Sequence, residues 1–357
     1  MFLVIDGGTT NLRVTLLDEK QKPLDAVKED GGVRHTAVDG HNGYLKTTLK
    51  ACIDRLLARN GLGAGDVKKC VAYGMITSDM GLLEIPHVPA PASAGDLHDA
   101  MRTQVFPEIA PFPICFIPGV RNFAGAVDLD NFGMMDMMRG EETEAVGLFT
   151  LLEPETSAMF ILPGSHNKFV AMSAEGKILG CMTSISGELL DAMTHHTILA
   201  DAVGGEFVSP EAYDSKMAME GAWACSQNGL GRAAFSGRIL KTLGKRSAAE
   251  VQSYLLGAAL ALDVQAMEAF LPDQPEEIPM PDNVIPLHQN LGAALGVAPD
   301  MSEPKEIVEP RIYVAGKAPV QQAMIDVLEA LGHEGAIAVP RELSARMGVV
   351  GAAEIGL

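Results

Sequence analysis

What most constrains this chain is a unit that it uses twice: an apolar strand, a short glycine-bearing polar bend, and a second strand. The first copy opens the sequence. Met1–Asp6 is an apolar run with Val and Ile, Gly7 and Gly8 break it, and Leu12, Val14 and Leu16 alternate with polar or small residues, the period-two sign of a strand. A polar stretch, LDEKQKP at 17–23, supplies a hairpin turn. In the second copy Ala158–Leu162 runs into Pro-Gly, and LPGSHNKFVAMS at 162–173 continues through a bend into a strand. The polar turn AEGK and a further strand at Ile178–Met182 follow. Two such units in two halves predict an α/β protein of two duplicated lobes with a cleft between them.

Between the copies, Tyr44–Leu62 reads as an amphipathic helix with Leu45, Leu49, Ile53 and Leu57 on one face. Val71–Ile76 and Phe112–Pro118 read as strands, Ile85–Ala94 as a proline-rich loop, and Met137–Leu152 as a helix. Helices are predicted over Glu188–Ala200 and Glu250–Phe270, a surface excursion rich in Pro and acids over Phe270–Asn290, a strand at Arg311–Ala315, and a helix from Gly316 through Leu331. The lobes are expected at 1–136 and 137–342, with a helix at 343–357 completing the first. A length of 357 residues agrees with about two domains.

Charge narrows the partners. Lys and Arg number 27 against 46 Asp and Glu, a formal net charge of −19. A surface that acidic repels nucleic acid and anionic lipid, so neither is expected as a partner, whereas a pocket can still gather a few cations for a small anion. No apolar run reaches the roughly 18 residues of a membrane span, and the opening MFLVIDGG lacks a basic leader region. The five cysteines (52, 70, 115, 181 and 225) are odd in number and widely spaced, which suits free thiols in a cytoplasmic protein rather than a disulfide frame or a zinc site.

Five segments carry chemistry. In DGGTTNLR, Gly7, Gly8, Thr9, Thr10 and Asn11 leave backbone N–H groups and hydroxyls aimed at one spot, a nest for phosphate oxygens, and Asp6 at the strand end suits a hydrated Mg2+ beside them. The bland alternative is an ordinary hairpin turn. Gly164, Ser165, His166, Asn167 and Lys168 form the second polar tip, suited to a second phosphate clamp in which Lys168 neutralises charge. In RGEETEAVG, Glu141 and Glu142 lie in the first turn of a helix, where they either complement the dipole or provide a general base, and Arg139 suits a substrate carboxylate. Thr77 and Ser78 of GMITSDMG suit a polyol, or cap a turn. Gly316 in VAGKAPVQQAM, between strand and helix, is a frame for a nucleotide base or a plain connection. No P-loop string and no strand-borne G-x-G-x-x-G occurs.

The residues DGGTTNLR at 6, GMITSDMG with PHVPAPAS at 74–93, MRGEET at 138, LPGSHNKFV at 162, SGELL with HHTIL at 186–199, YLLGAAL at 254 and VAG at 314 resemble the 2-dehydro-3-deoxygalactonokinase family, sugar kinases of the actin-like ATPase superfamily with its ribonuclease H-like fold. The resemblance implies ATP- and Mg2+-dependent phosphorylation of the terminal hydroxyl of 2-dehydro-3-deoxy-D-galactonate, and allows a homodimer. It also implies roles. Asp6 would organise Mg2+; Gly8, Thr9, Thr10, Gly164 and Ser165 would meet phosphate; Gly316 would lie against the adenosine. Arg13 and Arg139 would be candidates for the sugar-acid carboxylate, and Glu141 or Glu142 would be the base. Lys317 stands where that family has a small hydroxyl residue, and segments near 107–136 and 270–290 add length. The competing expectations are a kinase of a related sugar acid, and an actin- or chaperone-like ATPase acting through a protein partner.

Overall fold

The computed structural model describes residues 1–270 and 310–357. They fall into two compact units. Unit 1 comprises Met1–Glu155, Met172–Cys181 and Ala345–Leu357; unit 2 comprises Thr156–Ala171 and Met182–Ser344. The chain therefore divides at 155/156 rather than at the expected 136/137. The excursion expected over 270–290 lies, from 271 onward, outside the described residues. Among those described, no helix is long and apolar enough to cross a membrane.

In chain order the strands of unit 1 are β1 (Phe2–Gly7), β2 (Asn11–Leu17), β3 (Pro23–Asp30), β4 (Lys69–Tyr73), β5 (Val88–Pro89), β6 (Arg102–Gln104), β7 (Ile114–Phe116), β8 (Val120–Arg121) and β9 (Met137–Met138). Six of them form a sheet of order β3-β2-β1-β4-β7-β6; β5, β8 and β9 form a small second sheet. β1 runs antiparallel to β2 and parallel to β4, β3 is antiparallel to β2, and β4 is parallel to β7. One face of the large sheet is covered by the helix Gly43–Arg59, which buries Leu45, Leu49, Cys52, Ile53 and Leu56 against Leu3, Ile5, Leu12, Val14 and Phe116.

The helix Glu141–Leu152 packs on the C-terminal helix Met347–Gly356 at backbone distance. A Cβ on Gly351 would lie 1.8 Å from the Thr143 carbonyl oxygen, and one on Gly147 would lie 1.8 Å from that of Met347. Only glycine permits such an approach. This pairing, between segments far apart in sequence, is why residues 137–155 join unit 1. The helix expected from Met137 begins only at Glu141: Met137 and Met138 pair with Arg121 and Val120 as β9, and Gly140, at φ 122°, breaks the chain direction before the first helical turn.

The remaining sheet consists of β10 (Ala158–Leu162), β11 (Asn167–Met172), β12 (Ile178–Ser184, whose first four residues fall in unit 1), β13 (Arg311–Val314) and β14 (Ile337–Ala338), in the order β12-β11-β10-β13-β14. β13 is parallel to both of its neighbours. This is the β3-β2-β1-β4-β7 order over again, so the duplication expected from the two bends extends to five strands of each sheet. Its core joins Met159, Ile161, Phe169 and Val314 to Leu260, Val264 and Met267 of the helix Ala248–Phe270 and to Met324, Val327 and Leu328 of the helix Val320–Ala330. The expected helix Glu188–Ala200 is two: Ser186–His196 and Ala200–Val203. Thr197 interrupts them, extended at φ −123° and ψ 177°, with its hydroxyl on the Met193 carbonyl.

Candidate active site

Strand register builds the centre of unit 1. Asp6 pairs with Arg13 across β1–β2, Arg13 with Lys28 across β2–β3, and Asp6 with Tyr73 across β1–β4. Residues directly opposite in a sheet share a face, so Lys28, Arg13, Asp6 and Tyr73 form one transverse row at the end of β1. Burial pushes the Asp6 carboxyl above its ordinary value; Arg13, Lys28 and a hydrogen bond from Tyr73 pull it back. The Tyr73 phenol is buried, and its hydroxyl occupies space that Gly348 leaves open, since a Cβ there would lie 2.0 Å away.

The first turn of Glu141–Leu152 faces this row. Glu144 interacts electrostatically with Asp6, Arg13, Glu141 and Glu142, and burial holds its carboxyl well above the usual range. Glu142 is fully buried: Oε2 accepts the Gly140 N–H at 2.7 Å and Oε1 the Thr143 hydroxyl at 3.0 Å. Burial and the neighbouring Glu141 push its pKa up to about 7. Glu141 is half-buried, and among the described residues its side chain makes one hydrogen bond, Oε2 accepting the Arg139 backbone N–H at 3.1 Å.

The bend between β1 and β2 is held from below. The carbonyls of Gly8, Thr9 and Thr10 accept N–H groups of Val33, Arg34 and Gly32 at 2.9–3.1 Å, and the Gly8 N–H donates to the Asn11 carbonyl at 3.0 Å. With the carbonyls occupied, the side chains of Thr9, Thr10 and Asn11 stand exposed.

Three expected ligands turn out to be committed elsewhere. Arg139 Nη1 donates to the Thr77 carbonyl at 2.6 Å and hydroxyl at 2.8 Å, and Nη2 to the Ile85 carbonyl at 2.9 Å with His87 Nδ1 at 3.3 Å, so the guanidinium anchors the loop 74–87. The Thr77 hydroxyl donates to the Gly74 carbonyl and that of Ser78 to the Met75 carbonyl, closing their own turn. These three side chains shape the loop rather than present free donors to a sugar acid.

Unit 2 repeats the bend with different fastenings. Gly164 N–H donates to Asn167 Oδ1 at 2.7 Å, Asn167 Nδ2 donates to Asp263 Oδ2 at 2.6 Å and to Ser186 Oγ at 2.8 Å, and Ser186 Oγ donates to Asp263 Oδ2 at 2.7 Å. Gly187 presses on the bend, a Cβ there falling 2.3 Å from the Gly164 carbonyl oxygen; Gly32 presses likewise on the first bend, 2.4 Å from those of Gly8 and Thr9. Gly164, Ser165 and His166 are exposed. His166, expected at phosphate, contacts Glu188 at 2.7 Å. Lys168, expected to neutralise phosphate, is buried with its ammonium on the Thr183 hydroxyl. Gly316, at φ 110°, follows β13 beside Pro163, which follows the adjacent parallel strand β10. Gly74, at φ 90°, follows β4 beside Gly7 in the same manner. Both units thus gather glycine turns at the carboxyl ends of neighbouring parallel strands, where α/β sheets bind ligands.

Tyr73, Glu144 and Asp263 complete these sites without belonging to any of the sequence motifs' candidate ligands. Asp263 carried a signal, as the lone charge in the apolar run YLLGAALALDVQAM. The five cysteines are all buried free thiols.

A sheet order used twice, with a polar bend after the first strand of each, makes this a duplicated α/β fold, the class expected from the two bends. Within that class the chain belongs to the 2-keto-3-deoxy-galactonokinase family, which matches residues 6–334. It is 27% identical over 204 residues to a probable 2-dehydro-3-deoxygalactonokinase of Rhizobium meliloti (strain 1021), a match that spans 57% of this chain and 59% of that relative's length. The crystal structure of a candidate 2-dehydro-3-deoxygalactonokinase from Sinorhizobium meliloti is similar in fold, with a TM-score of 0.70 and 20% identity, covering 99% of this chain and 98% of that one.

Proposed function

We propose that this chain transfers the γ-phosphoryl group of ATP to the terminal hydroxyl of a 2-keto-3-deoxy sugar acid, 2-dehydro-3-deoxy-D-galactonate. The observation that carries the reading is the transverse row at the end of β1, with an acid-bearing helix start facing it, in a chain of this family. Phosphoryl transfer depends on in-line positioning and charge stabilisation more than on covalent help. The bend Gly7–Asn11 offers the Thr9 and Thr10 hydroxyls and N–H groups to phosphate oxygens, the Gly8 N–H being taken by the Asn11 carbonyl; in unit 2 the bend at Gly164 offers the Ser165 hydroxyl, the Gly164 N–H being taken by Asn167; Gly316 borders the adenosine.

Asp6 is suited to hold Mg2+. Among the described residues no group of three or more His, Cys, Asp or Glu forms a metal cage. Mg2+ at nucleotide sites is held by one or two carboxylates together with phosphates and water, and Asp6 beside an exposed bend fits that donor set. When bound there, Mg2+ neutralises charge on the triphosphate. Glu141 accepts the proton of the attacking hydroxyl, since it is partly exposed and keeps Oε1 outside its hydrogen bond to Arg139, whereas both oxygens of Glu142 are engaged. The products are ADP and the phosphorylated acid.

The test is a coupled ADP-release assay with ATP and Mg2+ over 3-deoxy-2-keto sugar acids, aldonates and free hexoses. Turnover that requires the 3-deoxy-2-keto acid is expected. ATP turnover indifferent to every added sugar would overturn the reading in favour of an ATPase that works through a protein partner.

A further inference from the structure

We propose that Asp263 is the positioning residue that sets the shape of the polar bend in unit 2. The proposal deepens the reading of that bend as a nucleotide-phosphate site and rests on it.

Asp263 lies inside the helix Ala248–Phe270 with 0% exposure, among Leu260, Val264 and Met267 of the unit 2 core. A carboxylate there is costly to bury and persists only with good hydrogen-bond partners. Its Oδ1 is buried without a hydrogen-bond partner among the described residues, Ser184 lies within hydrogen-bonding reach of the carboxyl, and the two donors on Oδ2 are the two flanks of the candidate site. On one side Asn167 donates to Oδ2 and, through its own Oδ1, captures the Gly164 N–H. On the other, Ser186, which opens the helix Ser186–His196, donates to the same oxygen. That helix start returns to the bend: the Glu188 N–H donates to the Ser165 carbonyl at 3.2 Å, and Gly187 lies directly against Gly164. One oxygen atom therefore fixes the bend and the helix start to each other. Holding the Gly164 N–H inward and the Ser165 carbonyl down leaves the Ser165 hydroxyl on the exposed side, with no hydrogen bond to another described residue.

If stability alone were at stake, an apolar side chain of similar size would serve the core as well or better. The distinguishing consequence is thus a weaker nucleotide grip in a chain that still folds. Asp263→Leu removes the acceptor and keeps the bulk; Asp263→Asn keeps one acceptor oxygen for both donors. On the purified full chain, ADP binding is measured by calorimetry with Mg2+ present, KM is measured separately for ATP and for the sugar acid, and unfolding is followed by circular dichroism. For Asp263→Leu, the Kd for ADP and the KM for ATP are expected to rise about tenfold, on the order of one hydrogen-bonding group lost, with the sugar-acid KM unchanged. Asp263→Asn should recover most of the loss. Should the Leu variant not fold, Ser186→Ala, which deletes one donor, is expected to raise the same two constants about threefold.

A folded Asp263→Leu or Ser186→Ala that binds ADP like wild type overturns the proposal. So does an equal rise in both KM values together with a lowered Tm, the mark of a group that merely supports the core. A wild-type chain that binds neither ADP nor ATP overturns the nucleotide reading and this proposal together; normal wild-type binding with an unaffected variant overturns this proposal alone.

Discussion

Glu141 and Glu142 are neighbours in sequence and opposites in setting. Glu141 keeps a carboxylate oxygen and partial exposure, while Glu142 is sealed in with both oxygens bonded. Glu141→Gln is therefore expected to lower kcat by about two to four powers of ten, the usual share of a general base, with ATP affinity near wild type; steady-state kinetics beside calorimetry check both. Glu142 predicts a stability effect instead. Its folded pKa of about 7 stands above the ordinary 4.5, so the folded state holds the proton more tightly. The stability this contributes is complete below pH 4.5 and is lost as pH rises from 4.5 through 7. Glu142→Gln should flatten that dependence, losing less Tm than wild type between pH 5 and pH 8 in thermal unfolding. At this scale the sequence showed which residue types meet and not how deeply each is buried. Nothing in RGEET separates the open acid from the sealed one, and Glu144 has no special mark in the string.

The helices Glu141–Leu152 and Met347–Gly356 meet at Gly147 and Gly351, where a Cβ would strike backbone rather than a movable side chain. Gly351→Ala should cost about 1–3 kcal/mol through forced separation, in spite of alanine's better helix propensity. Gly231→Ala, at an exposed helical glycine with open space around its Cβ, should be neutral or stabilising by up to about 1 kcal/mol. Chemical denaturation of the two variants side by side checks the contrast. Element type was legible where the apolar period was strong: Ala158–Leu162 was read with its observed ends, and Gly43–Arg59 within a few residues. β3 was not foreseen, because Val27 alone of Pro23–Asp30 is buried and a strand with one buried side chain carries no alternation to read. The start of Glu141–Leu152 was placed too early because Met137 and Met138 are apolar enough to pass for a helical turn; only their pairing with β8 shows otherwise.

At the scale of the whole molecule, the repeated bend was the strongest statement the sequence made, and the matching strand orders of the two sheets extend it. The division at 155/156 was not legible, since it depends on which distant segment each helix packs against. The glycines of Met347–Gly356 announce closeness without naming a partner. Arg139, Thr77 and Lys168 show the same limit from the side of chemistry: a polar residue at a promising position is as useful for holding a loop as for holding a ligand, and only its geometry decides. The make-up of unit 1 also bears on the order of events during synthesis. Its first strand is made before any element of unit 2, yet Ala345–Leu357, which buries Val349, Ala352 and Ile355 within that unit, is made after them. Domains ordinarily mature in the order in which they are made. Here the half that begins the chain must wait, its helix Glu141–Leu152 uncovered, until the half that follows has already been made.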